Sequence, residues 1–328
     1  MPRAKTTPKL SDHLGTFRVR VGIARTTYKV NPGLYCVGTP SEDSPVLVTA
    51  NYKLSFDTLR FNLQGEDLWI LVVDTRGINV WCAAGKGTFS ADEIARQVKQ
   101  ANLDRIVTHR KLILPQLAAV GVASHELKRK CGFKAVYGPI RAQDLSEYMK
   151  RNNQADESMR SVTFSLGERL ILTPVELVLT WKVVLSITLI SLVSSGIVPG
   201  GYSLEALWGR GLFAIGATMA ALLAGALVTP VLLPLIPGRQ FWFKGALVGF
   251  LMGLAYQFLF LAEAHFPERL GILLWVTTAS SYLAMNFTGA TPYTSLSGVE
   301  QEMRKGLPFQ MIGAGLSVVF WIAAPFLQ

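Results

Sequence analysis

The feature that most constrains this chain is a set of apolar stretches, each close to 20 residues, recurring through its second half. A bilayer core takes ~20 apolar residues of helix to cross. The recurrence therefore predicts an all-α transmembrane domain with five spans, at about 175–197, 208–229, 241–262, 269–288 and 307–327. Charge divides the chain the same way. Residues 1–174 hold 25 Lys+Arg and 16 Asp+Glu, whereas residues 175–328 hold only 7 and 6. The expected organisation is a soluble domain over residues 1–170 and a transmembrane domain over residues 171–328.

With the N-terminal domain inside, inner loops carry Arg239, Lys244, Arg304 and Lys305, and outer loops Arg210 and Arg269. That bias follows the positive-inside rule. Gly211, Gly216, Ala220 and Ala224 offer small faces for close helix packing, and Pro230, Pro234 and Pro237 mark the second span's end. Lys182, inside the first span, either marks function as a charge at that depth or is a lysine snorkelling near the cytoplasmic end. The segment 286–299, rich in hydroxyls and glycine, is either a partner surface or a plain polar loop. No repeated broken-helix pattern of a transporter is present, so the spans read as an anchor or docking platform. The first eight residues lack an apolar core, and the three cysteines are unclustered. Both facts place the soluble domain in the cytoplasm, on a multi-pass protein of the inner (plasma) membrane. The net charge is +10, but the basic residues form no aromatic-interleaved motif. Nucleic acid is therefore not expected as a partner, and an anionic membrane surface or acidic protein suits the charge better.

The soluble half alternates strand and helix signals. Phe17–Val21, Pro45–Thr49, Leu68–Asp74, Arg105–Thr108 and Phe133–Tyr137 read as strands. Lys53–Gln64, Ala142–Arg151, Pro115–Ala119 and His125–Lys130 read as helical, the last stopped by Gly132. Ser90-Ala-Asp-Glu93 is a capping box opening a helix to about Ala101. Alternation of this kind implies an α/β, Rossmann-like, doubly wound parallel sheet, with ligands bound beyond the carboxyl ends of its strands.

The segment Gly77-Ile-Asn-Val-Trp-Cys-Ala-Ala-Gly-Lys86 follows such an end. It sets one cysteine, Cys82, between a bulky aromatic, Trp81, and the small Ala83, Ala84 and Gly85. Metal sites usually gather several ligands at set spacings. A lone thiol on a nearly bare backbone instead suits a flat macrocycle whose metal needs one axial ligand. His109 and His125 lie outside this segment and read as surface or structural residues.

The ten-residue motif resembles the cap-helix motif of the HgcA family, the corrinoid proteins of microbial mercury methylation. Val48-Thr-Ala-Asn-Tyr-Lys53, Trp69–Thr75 and the layout of a soluble domain before five spans are similar as well. The soluble domain is also similar to the corrinoid domain of the corrinoid iron–sulfur protein of the acetyl-CoA pathway. The resemblance implies a cobalamin-type corrinoid held base-off, with Cys82 as lower axial ligand to cobalt. It implies methyl transfer to Hg(II), an anaerobic setting, and a ferredoxin-like partner with two [4Fe–4S] clusters as electron donor. A methyl donor of methyl-folate type is expected, and carbanion and radical transfer both stay open.

Within that frame each motif residue has two readings. Asn79 hydrogen-bonds the sulfur or caps the helix start. Trp81 packs beside the corrin or fills the core. Val80, Ala83, Ala84 and Gly85 belong to the cofactor contact, the last three for what they lack. Lys86 pairs with a corrin side-chain group or is solvated. Thr49 bonds the cofactor's nucleotide tail or caps a turn. The function expected is a corrinoid-dependent mercury methyltransferase. The alternatives are a corrinoid methyl carrier of one-carbon metabolism and a non-enzymatic membrane scaffold with a redox-active thiol.

Overall fold

The computed structural model describes residues 1–25, 27–291 and 293–327. Pro292, inside the 286–299 segment, and Gln328 lie outside the described residues. The chain forms two compact units, Met1–Thr163 and Phe164–Gln328.

In the first unit the order is α1 (Leu10–Arg20), β1 (Gly33–Val37), β2 (Val46–Ala50), α2 (Lys53–Phe61), β3 (Leu68–Val73), α3 (Val80–Gly85) and α4 (Ala91–Gln100). Then come β4 (Lys111–Leu114), α5 (Ser124–Cys131), β5 (Lys134–Tyr137), α6 (Leu145–Lys150) and the single turn α7 (Glu157–Arg160). The sheet runs β1-β3-β2-β4-β5. All its pairs are parallel except β1 with β3. β2 and β3 are apolar without alternation because helices cover both faces. Val48, Ala50, Leu71 and Val73 join Ala83, Ile94, Val98 and Leu127 in one core cluster. Leu47, Ile70 and Val72 join Phe56, Leu59, Ile113 and Tyr148 in the other.

Two strand expectations are corrected. Phe17–Val21 falls on the end of α1 and its C-cap, because α1 buries Asp12 together with Val19 rather than a continuous apolar face. Leu10, Leu14 and Phe17 stay exposed on the other side. The Asp12 carboxylate takes Lys53 and the Arg60 guanidinium, each at 2.9 Å, and Asp57 takes the same two cations from α2. Arg105–Thr108 is the tail of a 3-10 turn, and the strand is shifted to Lys111–Leu114. Arg110 holds the loop by donating to the carbonyls of Asp104, Val107 and His109. The edge strand β1, antiparallel, had no counterpart in the sequence reading.

Among the described residues of the second unit, five helical spans are long and apolar enough to cross a membrane. They are α8 (Leu166–Ser195), α9 (Leu204–Leu223) continued through a π turn into α10 (Thr229–Leu232), α11 (Phe241–Phe260), α12 (Phe266–Ala290) and α13 (Leu296–Ala323). α8 starts nine residues before the expected span because Ser165 and Glu168 form a capping box. α11 packs closely on α12. A Cβ on Gly245 or Gly249 would lie 2.8 Å from the carbonyl of Ser280 or Val276. Of the small residues singled out, Gly211 meets Leu192 of α8 and Gly216 meets Tyr256 of α11.

Several basic residues expected in loops lie instead in helices, where they satisfy helix ends. Lys244 of α11 donates to the Leu233 carbonyl at 2.6 Å, and Arg169 of α8 to that of Pro230 at 3.2 Å. Both serve the carbonyl end of α10, where cations are favoured. The Glu302 carboxylate accepts from the Phe241 and Trp242 amides at 2.8 and 3.1 Å, capping α11. At the other end of the bundle Arg210 pairs with Glu268 and donates to the carbonyls of Ser195 and Trp321. Arg304 and Lys305 lie within α13.

The Asp12–Lys53–Asp57–Arg60 network is the joint between α1 and α2. Burial pushes the Asp12 carboxyl up, but bonds from Lys53, the Lys9 amide and Arg60 outweigh it and hold it well below the usual carboxylate range. A depressed carboxyl contributes stability above its unfolded pKa and loses it only as pH falls toward the folded value. Asp57 is 1% exposed. Asp57→Ala should therefore cost about 3 kcal/mol, since it leaves two cations short of a buried partner. Hydrogen exchange of the full chain should speed in α1 and α2 and stay unchanged in α8–α13. Unchanged protection of α1 and α2 would show that the network is incidental.

Candidate functional site

The site is assembled by Asn51, at the carboxyl end of β2. Asn51 is 3% exposed. Its backbone amide donates to Val73 at 2.9 Å, and its side-chain amide to Asp74 Oδ1 at 2.8 Å. Its Oδ1 accepts from the amides of Thr75 and Gly77 at 3.1 and 3.0 Å. The Thr75 hydroxyl lies 3.0 Å from the same oxygen and 2.6 Å from the Ile78 carbonyl. One side chain thus folds the whole turn between β3 and α3. Arg76 and Gly77 reverse the chain with φ of 60° and 77°. A Cβ at Gly77 would press into the Lys29 side chain at 2.6 Å, so glycine suits the position twice over.

α3 then begins at once. Asn79 is its N-cap, with Oδ1 accepting from the Cys82 amide at 2.8 Å. Val80, Ala83 and Ala84, at i, i+3 and i+4, turn inward and are buried in the core. Trp81 and Cys82 are half-buried, and Gly85 and Lys86 are exposed. Trp81 is a member of neither core cluster. The helix ends as the amides of Thr88 and Phe89 fold back to the Ala83 carbonyl at 2.9 and 3.1 Å.

α3 rests on the loop after β4. A Cβ at Gly121 would lie 2.7 Å from the Ala84 carbonyl and 2.9 Å from that of Phe89. The placement follows from the topology. From β2 the chain crosses one way to β3, then the other way past β2 to β4. Ligands of open α/β sheets bind at such a reversal, beyond the carboxyl ends of the strands. α3 caps that point, with Cys82 on its outward side.

Burial pushes the Cys82 thiol up, while Lys86, Asn79 and Arg25 favour the thiolate without cancelling the burial. Cys36 and Cys131 are free as well. Among the described residues no group of three or more His, Cys, Asp or Glu side chains stands close enough to hold a metal ion. Thr49 is 3% exposed, and its hydroxyl, which has no hydrogen-bond partner among the described residues, is not fully closed off from solvent. It alternates with Val48 and Ala50 and so faces the α2 side of the sheet with Leu47. No hydrogen bond links it to the α3 residues. His109 is structural: its Nδ1 accepts from the Lys111 amide at 3.3 Å, leaving Nε2 to donate to the Ser44 carbonyl at 2.9 Å.

The structure thus brings residues 79–86 together as one cap and leaves Thr49 apart from it. Sequence reading missed Asn51 and Gly121 as site builders. Asn51 had one signal, an amide side chain directly after a parallel strand, and Gly121 had none.

Comparison with known proteins agrees with this architecture. Residues 17–149 match the family model of CdhD, described as CO dehydrogenase/acetyl-CoA synthase delta subunit. Acetyl-CoA decarbonylase/synthase complex subunit gamma of Methanosarcina acetivorans is 35% identical over 132 residues, 39% of this chain and 28% of that protein. The subunit of the same name from Methanopyrus kandleri is 30% identical over 129 residues, 39% and 28% of the two chains. That from Archaeoglobus fulgidus is 28% identical over 130 residues, 39% and 27%. The chain spans little more than a quarter of the length of these curated relatives. The similarity covers the α/β unit and none of the five apolar spans.

Proposed function

We propose that this chain is a membrane-anchored corrinoid protein that transfers a methyl group to Hg(II), with Cys82 as the protein ligand of the corrinoid cobalt. The observation that carries the reading is one thiol on the outward side of a capped helix, seated at the sheet's reversal point. Similarity of residues 17–149 to subunits of acetyl-CoA-forming complexes supports the corrinoid part. The resemblance of the 77–86 motif to mercury-methylating proteins supports the acceptor.

The residues fit such a group. A bound corrinoid would supply a cobalt centre able to accept a methyl group from a donor and give it to an acceptor. Cys82 would hold the cobalt as a thiolate; burial by itself disfavours that form, and Lys86, Asn79 and Arg25 offset the burial only in part. Asn79 fixes the first turn of α3 and with it the direction of the sulfur. Val80, Ala83 and Ala84 act from beneath. Their small inward face lets α3 lie against Gly121, which keeps the cap thin. Exposed Gly85 would leave room for a flat ring, half-buried Trp81 would pack beside it, and exposed Lys86 would pair with a polar group of the cofactor. The unpartnered Thr49 hydroxyl would take the buried nucleotide tail of a base-off cofactor.

The chain's three cysteines are separate and free, so it holds no four-cysteine cluster. Electrons would come from a ferredoxin-like protein with two [4Fe–4S] clusters, and the methyl group from a methyl-folate-type donor. Five apolar spans would anchor the protein in the inner membrane with its α/β domain in the cytoplasm. A second reading, a methyl carrier for acetyl-CoA-type chemistry, is favoured by the names of the relatives.

Two experiments test this. Cys82→Ala, made anaerobically in the full chain, should abolish methylmercury formation while the protein still folds and inserts. Cys82→Ser should be nearly as poor, since a neutral hydroxyl is a weaker donor. Normal turnover by Cys82→Ala would refute the assignment, and methylation of a carbon acceptor but never Hg(II) would favour the second reading. The cap's support is tested separately. Asn79→Ala and Gly121→Val keep the thiol but loosen or displace the helix that carries it, and should lower corrinoid affinity by roughly 10–100-fold. Full occupancy in both variants would mean that the position of α3 does not matter to the cofactor.

A further inference from the structure

Lys182 lies in the middle of α8, not near its end. Thirteen residues of helix separate it from Arg169, which bonds the Pro230 carbonyl, and thirteen from Ser195, whose carbonyl Arg210 holds. At 1.5 Å per residue that is about 20 Å either way. Arg169 and the Arg210–Glu268 pair mark the two polar ends of the bundle, so Lys182 stands near mid-membrane depth. A four-carbon stem cannot reach either end, so snorkelling does not account for it.

Lys182 is also exposed. None of the apolar window of α8 is buried within the chain, whereas each of the other four spans buries more than a quarter of its own. Val178, Trp181, Lys182, Leu185 and Leu189 repeat at three- and four-residue spacing along α8, and all are exposed. The Lys182 ammonium sits 5.7 Å from the Trp181 ring centroid, a contact that tethers the charge without neutralising it. Left against lipid tails, this stripe would hold a cation in hydrocarbon whose ammonium has no hydrogen-bond or ion-pair partner among the described residues, and such residues characteristically face a partner instead.

We propose that the Val178–Leu189 stripe of α8 is the docking surface for a transmembrane helix of a different protein, one that carries a carboxylate level with Lys182. Charge complementarity selects this occupant. A second copy inserted in the same sense would set the same stripe against itself, bringing Lys182 to Lys182. The nearest carboxylate on α8, Glu176, is six residues away, about 9 Å along the axis. The spacing of Val178, Trp181, Leu185 and Leu189 suits the side-by-side packing of two helices. The inference does not depend on what Cys82 binds.

The test uses the full chain in phosphatidylcholine vesicles with two synthetic Leu/Ala transmembrane peptides, identical except for a central Asp or Leu. Energy transfer from labelled protein to labelled peptide reads association. The Asp peptide should bind about tenfold more tightly than the Leu peptide, the scale of one intramembrane polar contact. Lys182→Leu, a change favourable to insertion, should erase that preference, and Lys182→Arg should keep it. Equal binding of both peptides to the natural chain would overturn the proposal. So would a preference that survives in Lys182→Leu, or transfer between two labelled copies of the chain that excludes the Asp peptide.

Discussion

Everything at the Cys82 site depends on how Asn51 closes the turn after β3. Its Oδ1 accepts from the Thr75 and Gly77 amides, and its side-chain amide reaches Asp74. These groups would otherwise be buried or strained without partners, and an unmet buried donor costs about 1–3 kcal/mol. Because the turn is tied to β2 rather than only to β3, α3 starts at a fixed place over the sheet's reversal point. The N-cap at Asn79 then sets the rotation of the helix, and that rotation decides which side chains face out. Val80, Ala83 and Ala84 go in, and Cys82 comes out. A one-residue change in that rotation would bury the thiol and expose an alanine.

What was legible in the sequence was local. The Asn79 cap, the run of small residues and the lone cysteine all sit within eight positions, and a short helix follows from them. β2 and β3 were legible as apolar runs because both faces of each are covered. What stayed hidden depends on partners far along the chain. Gly121 matters only because Ala84, 37 residues earlier, packs on it. The end of α1, Phe17–Val21, was read as a strand because the helix is anchored through Asp12, whose partners Lys53 and Arg60 lie more than 40 positions away. No apolar period reports a helix held by ion pairs.

The same division holds in the second unit, with its five long apolar helices. Composition alone gave five spans, since length and hydropathy are properties of each segment. The roles of the charged residues did not follow from composition. Arg169, Lys244 and Glu302 answer backbone groups at helix ends, and Arg210 with Glu268 joins two helices 58 positions apart. Counting such residues as loop charges overstates how much they say about orientation. Lys182 differs from them: it serves no helix end, and that contrast singles it out.

The claim at the centre of this account is that Cys82 gives its sulfur to a corrinoid cobalt. Cobalt K-edge X-ray absorption of the full chain, purified anaerobically with its corrinoid, tests it most directly. The account predicts one sulfur scatterer among the nearest neighbours of cobalt, absent from the Cys82→Ala protein. A first shell of nitrogen and oxygen alone, the same in both proteins, would contradict it.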